Sequence, residues 1–364
     1  MRRFLSLRDF DWVLFGFVMI IAIIGVVQIY SASANTKFAG VHVKQMYWLV
    51  AGVAAMFIMS VVDYRFLVEK SHWAYIASIL ALLAVFFVGV RALGATRWLR
   101  IPGVGLFQPS EWVKLVLIIV VARYFASLNQ RDVTWPDILK GILLVGVPWV
   151  LVYKQPDLGT SLTYLPVLFV GLFLGGMKWK HFAVFLVAGV LMVPIAWKFA
   201  LKPYQKERLV NFIHPENDPR GTGYQIQQSL IAVGNGGVFG RGMAQGTQTQ
   251  GMFLPVTHTD FIFSSFAEEH GFVGATGVLL LYFIVLMRLV QNAQTAPDRV
   301  GAMIIMGVVA IWVFHILVNV GMVVGLMPVT GIPLPLMSYG GSAVMFTFLA
   351  LGIVMNIRMR RFVN

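Results

Sequence analysis

Three carboxylates and a histidine stand close together in Leu254–Gly274, which reads LPVTHTDFIFSSFAEEHGFVG: His258, Asp260, Glu268 and Glu269. The residues around them are apolar enough to cross a bilayer. Carboxylates are costly beside hydrocarbon, so acids in that setting mark either a functional site or the water boundary of a span. Several acids with a histidine and a glycine-rich approach favour a site. If a helix starts near Thr259, then Asp260, Ser264 and Glu268 stack on one face, with Asp260 at the entrance and closest to water. Partial burial there favours the neutral acid and the helix dipole favours the carboxylate; either state suits proton transfer. Glu268 reads as a supporting or helix-packing acid. His258 reads as a relay or as a hydrogen-bonded interfacial residue.

Further polar residues punctuate apolar runs. Glu111 and Lys114 are three apart, hence neighbours on a helix, and charges in such a run tend to pair, whether for support or for a site. Asp157 follows Pro156 and shortly precedes Gly159, a break that exposes backbone groups and invites a helix cap. Arg91, Arg97 and Arg100 carry guanidinium forks that match phosphate oxygens or snorkel to lipid head groups. No metal-ligand spacing, P-loop or nucleotide fingerprint is present. No cofactor is expected, and dependence on a divalent cation is left open. The chain has no cysteine, which excludes disulfides, thiolate metal sites and cysteine nucleophiles.

A membrane bundle must position these groups. Of 364 residues, 59% are hydrophobic and only 12% charged, against roughly 25% charged in a soluble protein. Several apolar runs reach the roughly 20 residues a membrane helix needs. The first, 12–30, is too long for a signal peptide and lacks a clean cleavage site. The pattern predicts a single all-α polytopic domain over residues 1–364 with about ten transmembrane helices. The fifth span, 141–153, is short and is interrupted by KQPDLGTS before the sixth. Residues 200–259 turn polar and form a large loop between helices 7 and 8. Within it Ile226, Leu230 and Val233 share one helical face opposite Gln225, Gln228 and Ser229, which predicts a short amphipathic helix along the membrane surface. Gly234–Gly251, with seven glycines, reads as an irregular, adaptable loop.

A formal charge of +13 would suggest nucleic acid in a soluble protein; here the positive-inside bias explains it, and no nucleic acid is expected. Arg2, Arg3, Arg8, Arg65, Lys70, Arg123, Arg131, Lys140, Lys178, Lys180, Arg288, Arg299, Arg358, Arg360 and Arg361 fall on one side, which places both termini in the cytoplasm. The loop at 200–259 is then extracytoplasmic, as is the turn bearing Asp260. Arg91, Arg97 and Arg100 also face outward, against the bias, and an anionic substrate would account for them.

Seven strings occur in order: IYSAS, GATRWL, QPSEWVKL, QPDLGTS, GYQIQQSLIAVGNGGVFGRG, LPVTHTDFIFSSFAEEHGFVGA and MPVTGIPLPLMSYGGSA. Through them nearly the whole chain resembles the SEDS family (shape, elongation, division and sporulation); the GIPLP form and short basic tail lean towards its elongation-type members. LPVTHTDF departs from the family, which more often has an acid or polar residue before the threonine-like position. The resemblance implies a peptidoglycan glycosyltransferase, serving elongation and rod shape, that polymerises lipid II outside the bacterial cytoplasmic membrane. Asp260 falls on the family's essential acid, implying an inverting general base, and Glu111 and Lys114 fall on its conserved pair. The substrate's pyrophosphate would draw on Arg97 and Arg100, and Arg241, Ser338 and Tyr339 are further candidates for substrate or lipid contact. A class B penicillin-binding protein is the implied partner. Two rivals remain open. A lipid II flippase needs ionisable groups along a midplane path, whereas here they gather at one face. A non-catalytic scaffold has no need of Asp260.

Overall fold

The computed structural model describes residues 7–92, 95–101, 105–128, 132–219, 221–254 and 256–361. Arg2, Arg3 and Arg131, used above for topology, lie outside them, and Arg91 is described in its backbone alone. Three helices lead: α1 (Trp12–Ser33), α2 (Val41–Val61) and α3 (Tyr64–Val88). A small sheet follows, β1 (Val90–Ala92), β2 (Ala95–Ile101) and β3 (Gly105–Phe107), then α4 (Pro109–Ala126), α5 (Trp135–Lys154), α6 (Leu158–Leu162), α7 (Leu165–Gly175) and α8 (Trp179–Ile195). Residues 200–259 hold α9 (Pro203–Ile213), α10 (Thr222–Gly236) and α11 (Thr247–Gln250). The chain ends with α12 (Ile262–Gln294), α13 (Arg299–Val323) and α14 (Gly341–Arg360).

Among the described residues nine helical stretches are long and apolar enough to cross a membrane, with α6 and α7 forming one of them. The chain is thus a multi-pass membrane protein. α4 is of similar length, but Glu111, Lys114 and Arg123 keep it out of that set; it is instead largely enclosed by neighbouring helices, which is where charge within a bundle is tolerable. α14 and α13 are the most enclosed spans, whereas α8 buries none of its residues in the protein.

The helical bundle carries one small sheet: β2 pairs antiparallel with β1 and β3, opposing Leu99 to Phe107 and Arg100 to Leu106. The alternating ATRWLRI satisfies its backbone in this ladder. Three expectations need correction. The fifth span starts earlier, at Trp135. Asp137 looked like loop, but its Oδ2 accepts from the Thr134 amide and hydroxyl at 3.1 and 2.6 Å and so starts the helix. α10 exists, but with a different buried face. Ile226, Ser229 and Ala232 turn inward and Leu230 outward, because the Ser229 hydroxyl reaches the Val323 carbonyl and Ser264 Oγ, each at 2.8 Å. α10 therefore packs on α12 and α13.

The third correction concerns the glycine-rich segment. α12 breaks at Gly271, whose φ is +66°, and a broken helix strands backbone donors and acceptors. Residues 237–242 supply the missing partners. Phe272 and Val273 donate to the carbonyls of Gly237 and Val238 at 2.9 and 3.1 Å, while Arg241 and Gly242 donate to those of Glu268 and Glu269 at 3.0 Å each. Such an approach requires glycine: a Cβ on Gly240, at φ +86°, would sit 2.1 Å from the Glu269 carbonyl oxygen. Below this splice the Glu268 carboxylate accepts from the Gln248 and Thr249 amides at 2.8 and 3.0 Å, and Glu269 accepts from Ser31 and Gln28 of α1. The segment is stitched into a spanning helix rather than adaptable.

Candidate active site

Asp260 lies in a turn ahead of α12, which starts at Ile262, so it does not share the helical face of Ser264 and Glu268. Its main chain is held firmly. The Asn319 amide of α13 donates both to the Asp260 carbonyl at 3.0 Å and to the Ile332 carbonyl at 2.8 Å. That bond clips the turn to an extended segment, 329–333, in the proline-rich loop. Along this segment the Val329 carbonyl accepts from Arg208 Nη1 at 3.1 Å, and the Thr330 carbonyl abuts Gly159 at the start of α6. Gly331 lies against the Asp260 carboxyl, where a Cβ would come 3.5 Å from Oδ2. The Pro333 carbonyl pairs with His315 Nδ1 at 3.0 Å.

Ser338 and Tyr339, candidates for substrate contact, hold this turn from behind. Ser338 Oγ accepts from the Leu334 amide and donates to the Thr259 carbonyl at 2.7 Å. The Tyr339 amide donates to the His258 carbonyl at 2.9 Å. The His258 ring packs 4.6 Å from that of Phe38 and 5.8 Å from that of Tyr339, and burial pushes its pKa down, leaving it neutral.

The charges sort into pinned and unpinned groups. Asp157 caps α6 by accepting from the Thr160 amide at 3.2 Å; it also accepts from Gln108 at 2.8 Å and pairs with Arg97 Nη1 at 3.2 Å. Glu111 and Lys114 form a buried pair at 2.8 Å. Lys114 Nζ also lies 4.6 Å from the centre of the Phe346 ring, a favourable cation–π contact, and 3.5 Å from His315 Nε2. Because the Pro333 carbonyl can only accept, His315 carries its proton on Nδ1 and turns a lone pair to Lys114. A cavity lined by Glu111, Lys114, His315, Pro333 and Ser338 joins this cluster to the back of the extended segment. Asp260, by contrast, has no ion-pair partner among the described residues. Burial pushes its pKa up, while Arg97, Arg208 and the Thr259 hydroxyl pull it back.

The structure thus brings Asp260, His258, Asp157, Arg97, Ser338 and Tyr339 to one end of the bundle around the 329–339 loop, with Glu111 and Lys114 behind it. Arg100 and Arg241 are exposed, and Arg241 is tied to the Asn235 carbonyl at 2.7 Å. Sequence reasoning missed Arg208, which sits among lysines and reads as solvated, and Thr330. It also missed His315 and Asn319, although two polar residues four apart in an apolar span were a legible signal.

The family model described as cell cycle protein (FtsW/RodA/SpoVE) matches residues 11–362. Peptidoglycan glycosyltransferase MrdB of Escherichia coli K12 is 40% identical over 341 residues, covering 92% of this chain and 90% of that one. Peptidoglycan glycosyltransferase RodA of Treponema pallidum is 31% identical, covering 99% and 100%. Among solved structures, one described as structural coordination of polymerization and crosslinking by a peptidoglycan synthase complex aligns with a TM-score of 0.84 at 34% identity, covering 98% and 99%. The rod shape determining protein RodA of Thermus thermophilus aligns at 0.72 and 30% identity, covering 98% of each chain.

Proposed function

This chain belongs to the FtsW/RodA/SpoVE family of cell cycle proteins, and from that premise we propose that the Asp260 turn is the catalytic centre of a peptidoglycan glycosyltransferase that polymerises lipid II. The observation that carries this is the contrast among the acids. Glu111, Asp157, Glu268 and Glu269 are each engaged by protein donors, whereas Asp260 is fixed through its main chain, and among the described residues its carboxyl group has a nearby Thr259 hydroxyl but no ion-pair partner. A rigid backbone with an uncommitted carboxylate suits a general base.

In the reaction the Asp260 carboxylate takes the proton of the acceptor's N-acetylglucosamine 4-hydroxyl. That oxygen attacks the anomeric carbon of the donor's N-acetylmuramic acid, configuration inverts, and undecaprenyl pyrophosphate leaves. The site faces outward from the bacterial cytoplasmic membrane, and a class B penicillin-binding protein packs against the helices; the synthase-complex relative supports such a partner. The test is polymerisation of lipid II by the full chain reconstituted with its partner. Asp260→Asn is expected to lower the rate by about 100- to 10,000-fold while lipid II binding persists. Polymer formed at the parent's rate would remove Asp260 from the mechanism.

A further inference from the structure

The wall beside Asp260 is built without a backbone ladder. Among the described residues, 329–333 make no hydrogen bond from main chain to main chain, and Pro333 has no N–H to give. Three carbonyls of the segment are held by side chains instead: Val329 by Arg208 at 3.1 Å, Ile332 by Asn319 at 2.8 Å and Pro333 by His315 at 3.0 Å. Enclosed carbonyls need donors, so these side chains decide where the segment lies. The far end of the loop is anchored separately. There Gln45 of α2 donates to the Ser338 carbonyl and accepts from the Gly340 amide, each at 3.2 Å.

Two of the three donors come from α13, one turn apart, and each is committed to a single orientation. Asn319 is fully buried. Its amide nitrogen serves the Asp260 and Ile332 carbonyls together, and its Oδ1 is left buried without a partner. Leaving an acceptor unpaired is costly, but turning the amide over would set Oδ1 against two carbonyl oxygens. His315 is fixed from its other side. Lys114 Nζ, 3.5 Å from Nε2, can only donate, and Glu111 holds that ammonium at 2.8 Å. Nε2 is therefore the acceptor and Nδ1 the donor to Pro333; the other tautomer would lose both bonds. The charge pair on α4 thus sets the proton on a ring of α13. That ring in turn sets the segment on which the Asp260 carboxyl rests at Gly331.

We propose that Asn319 and His315 are positioning residues for the catalytic Asp260, and that the Glu111–Lys114 pair acts on the reaction through the His315 tautomer, an inference that rests on the glycosyl-transfer reading above. Asn319 ties the turn to the segment directly. His315 fixes the same segment two residues beyond Gly331, where a Cβ would come 3.5 Å from Asp260 Oδ2. Both act through Asp260 rather than on substrate. Their contribution is aim. The carboxylate must meet the acceptor hydroxyl at hydrogen-bond distance, and a displacement of about 1 Å costs about a hundredfold in rate.

The test compares His315→Asn with His315→Gln in the full chain reconstituted with its class B partner, with rates expressed per folded molecule. Asparagine keeps a donor at the Nδ1 position, facing Pro333, whereas glutamine extends to the Nε2 position, facing Lys114. His315→Gln is expected to lower kcat for lipid II by about 10- to 100-fold with KM within about twofold of the parent. His315→Asn should recover most of that loss. Asn319→Leu, of similar volume, should lose kcat in the same way. Its acid limb should also move down towards the ordinary carboxylate range, as water reaches a carboxyl group still flanked by Arg97 and Arg208. Lys114→Met should cost less in His315→Asn than in the parent, because no tautomer is left to set. Amide exchange across 332–339 should quicken in His315→Gln and stay slow in His315→Asn. Equal rates in the two His315 variants, a loss confined to KM, or an unmoved acid limb in Asn319→Leu overturns the positioning role. An equal cost of Lys114→Met in both backgrounds overturns the route from the charge pair. A parent that makes no polymer while the exchange contrast persists overturns the glycosyl-transfer reading and keeps the clip on Asp260.

Discussion

At Asp260 two influences oppose each other: burial raises the pKa of the carboxyl group, and Arg97 and Arg208 lower it, with burial ahead. Because only the ionised form can act as a base, the acid limb of the kcat/KM profile should lie above the ordinary carboxylate range of about 4. Removing a cation should move that limb further up in Arg97→Gln, and pH-rate profiles would show it; an unmoved limb would mean that the arginines do not act on this group. The same shift bears on stability. A pKa raised in the folded state means that the native protein holds this proton more tightly. The contribution is complete below the unfolded value and is lost as pH rises through the folded one. Asp260→Asn should therefore unfold at a higher temperature than the parent at neutral pH, with the gap closing on acidification, as is common where a site trades stability for activity. Asp260 was legible in the sequence because an acid beside hydrocarbon stands out. Arg208 and Thr330 were not, since a polar residue in a polar loop carries no mark until the fold shows what it faces. Arg100 was misleading for the converse reason: being out of place in charge topology does not aim a side chain at the site.

The elements were legible where one period dominates. Spans emerged from apolar length, and the break at KQPDLGTS was visible from its proline and glycine. The hairpin of β1 to β3 was hidden by flanking glycines, and the inward face of α10 by Ser229, a polar residue whose partners, Ser264 and Val323, are remote in sequence. The splice between residues 237–242 and α12 was beyond reach altogether, because glycine richness marks flexibility and close backbone approach alike. Only the paired hydrogen bonds distinguish them. Gly240→Ala tests this element directly. The added methyl meets the Glu269 carbonyl at 2.1 Å and a backbone of φ +86°, so stability should fall by about 1–3 kcal/mol or more. Amide exchange at 272 and 273 should rise from protected to fast. Unchanged protection there would show that the loop does not complete the helix.

Across the whole molecule, a second anchor lies where α1 begins and α14 ends. Asp11 caps α1 through the Leu14 amide at 3.1 Å and receives Arg288 and Asn292 of α12, each at 2.9 Å, and Arg358 of α14 at 2.8 Å. Burial alone would push its pKa up, but Arg288, Asn292, the Leu14 amide and Arg358 together hold it below the ordinary value. That stabilisation is present above the unfolded pKa and is lost as pH falls through the folded one. Asp11→Asn should lower the unfolding temperature at neutral pH and flatten its decline on acidification, while the acid limb of activity stays where it was. The molecule is thus fastened at both ends of α12, by ions at one and by main chain at the other. The second fastening also joins segments far apart in the chain. Residues 237–242 precede 268–273, so the segment that completes α12 lies N-terminal to the helix it completes. Those backbone bonds satisfy amides and carbonyls that would be costly left open in hydrocarbon, and they close a loop of chain that contains the turn bearing Asp260.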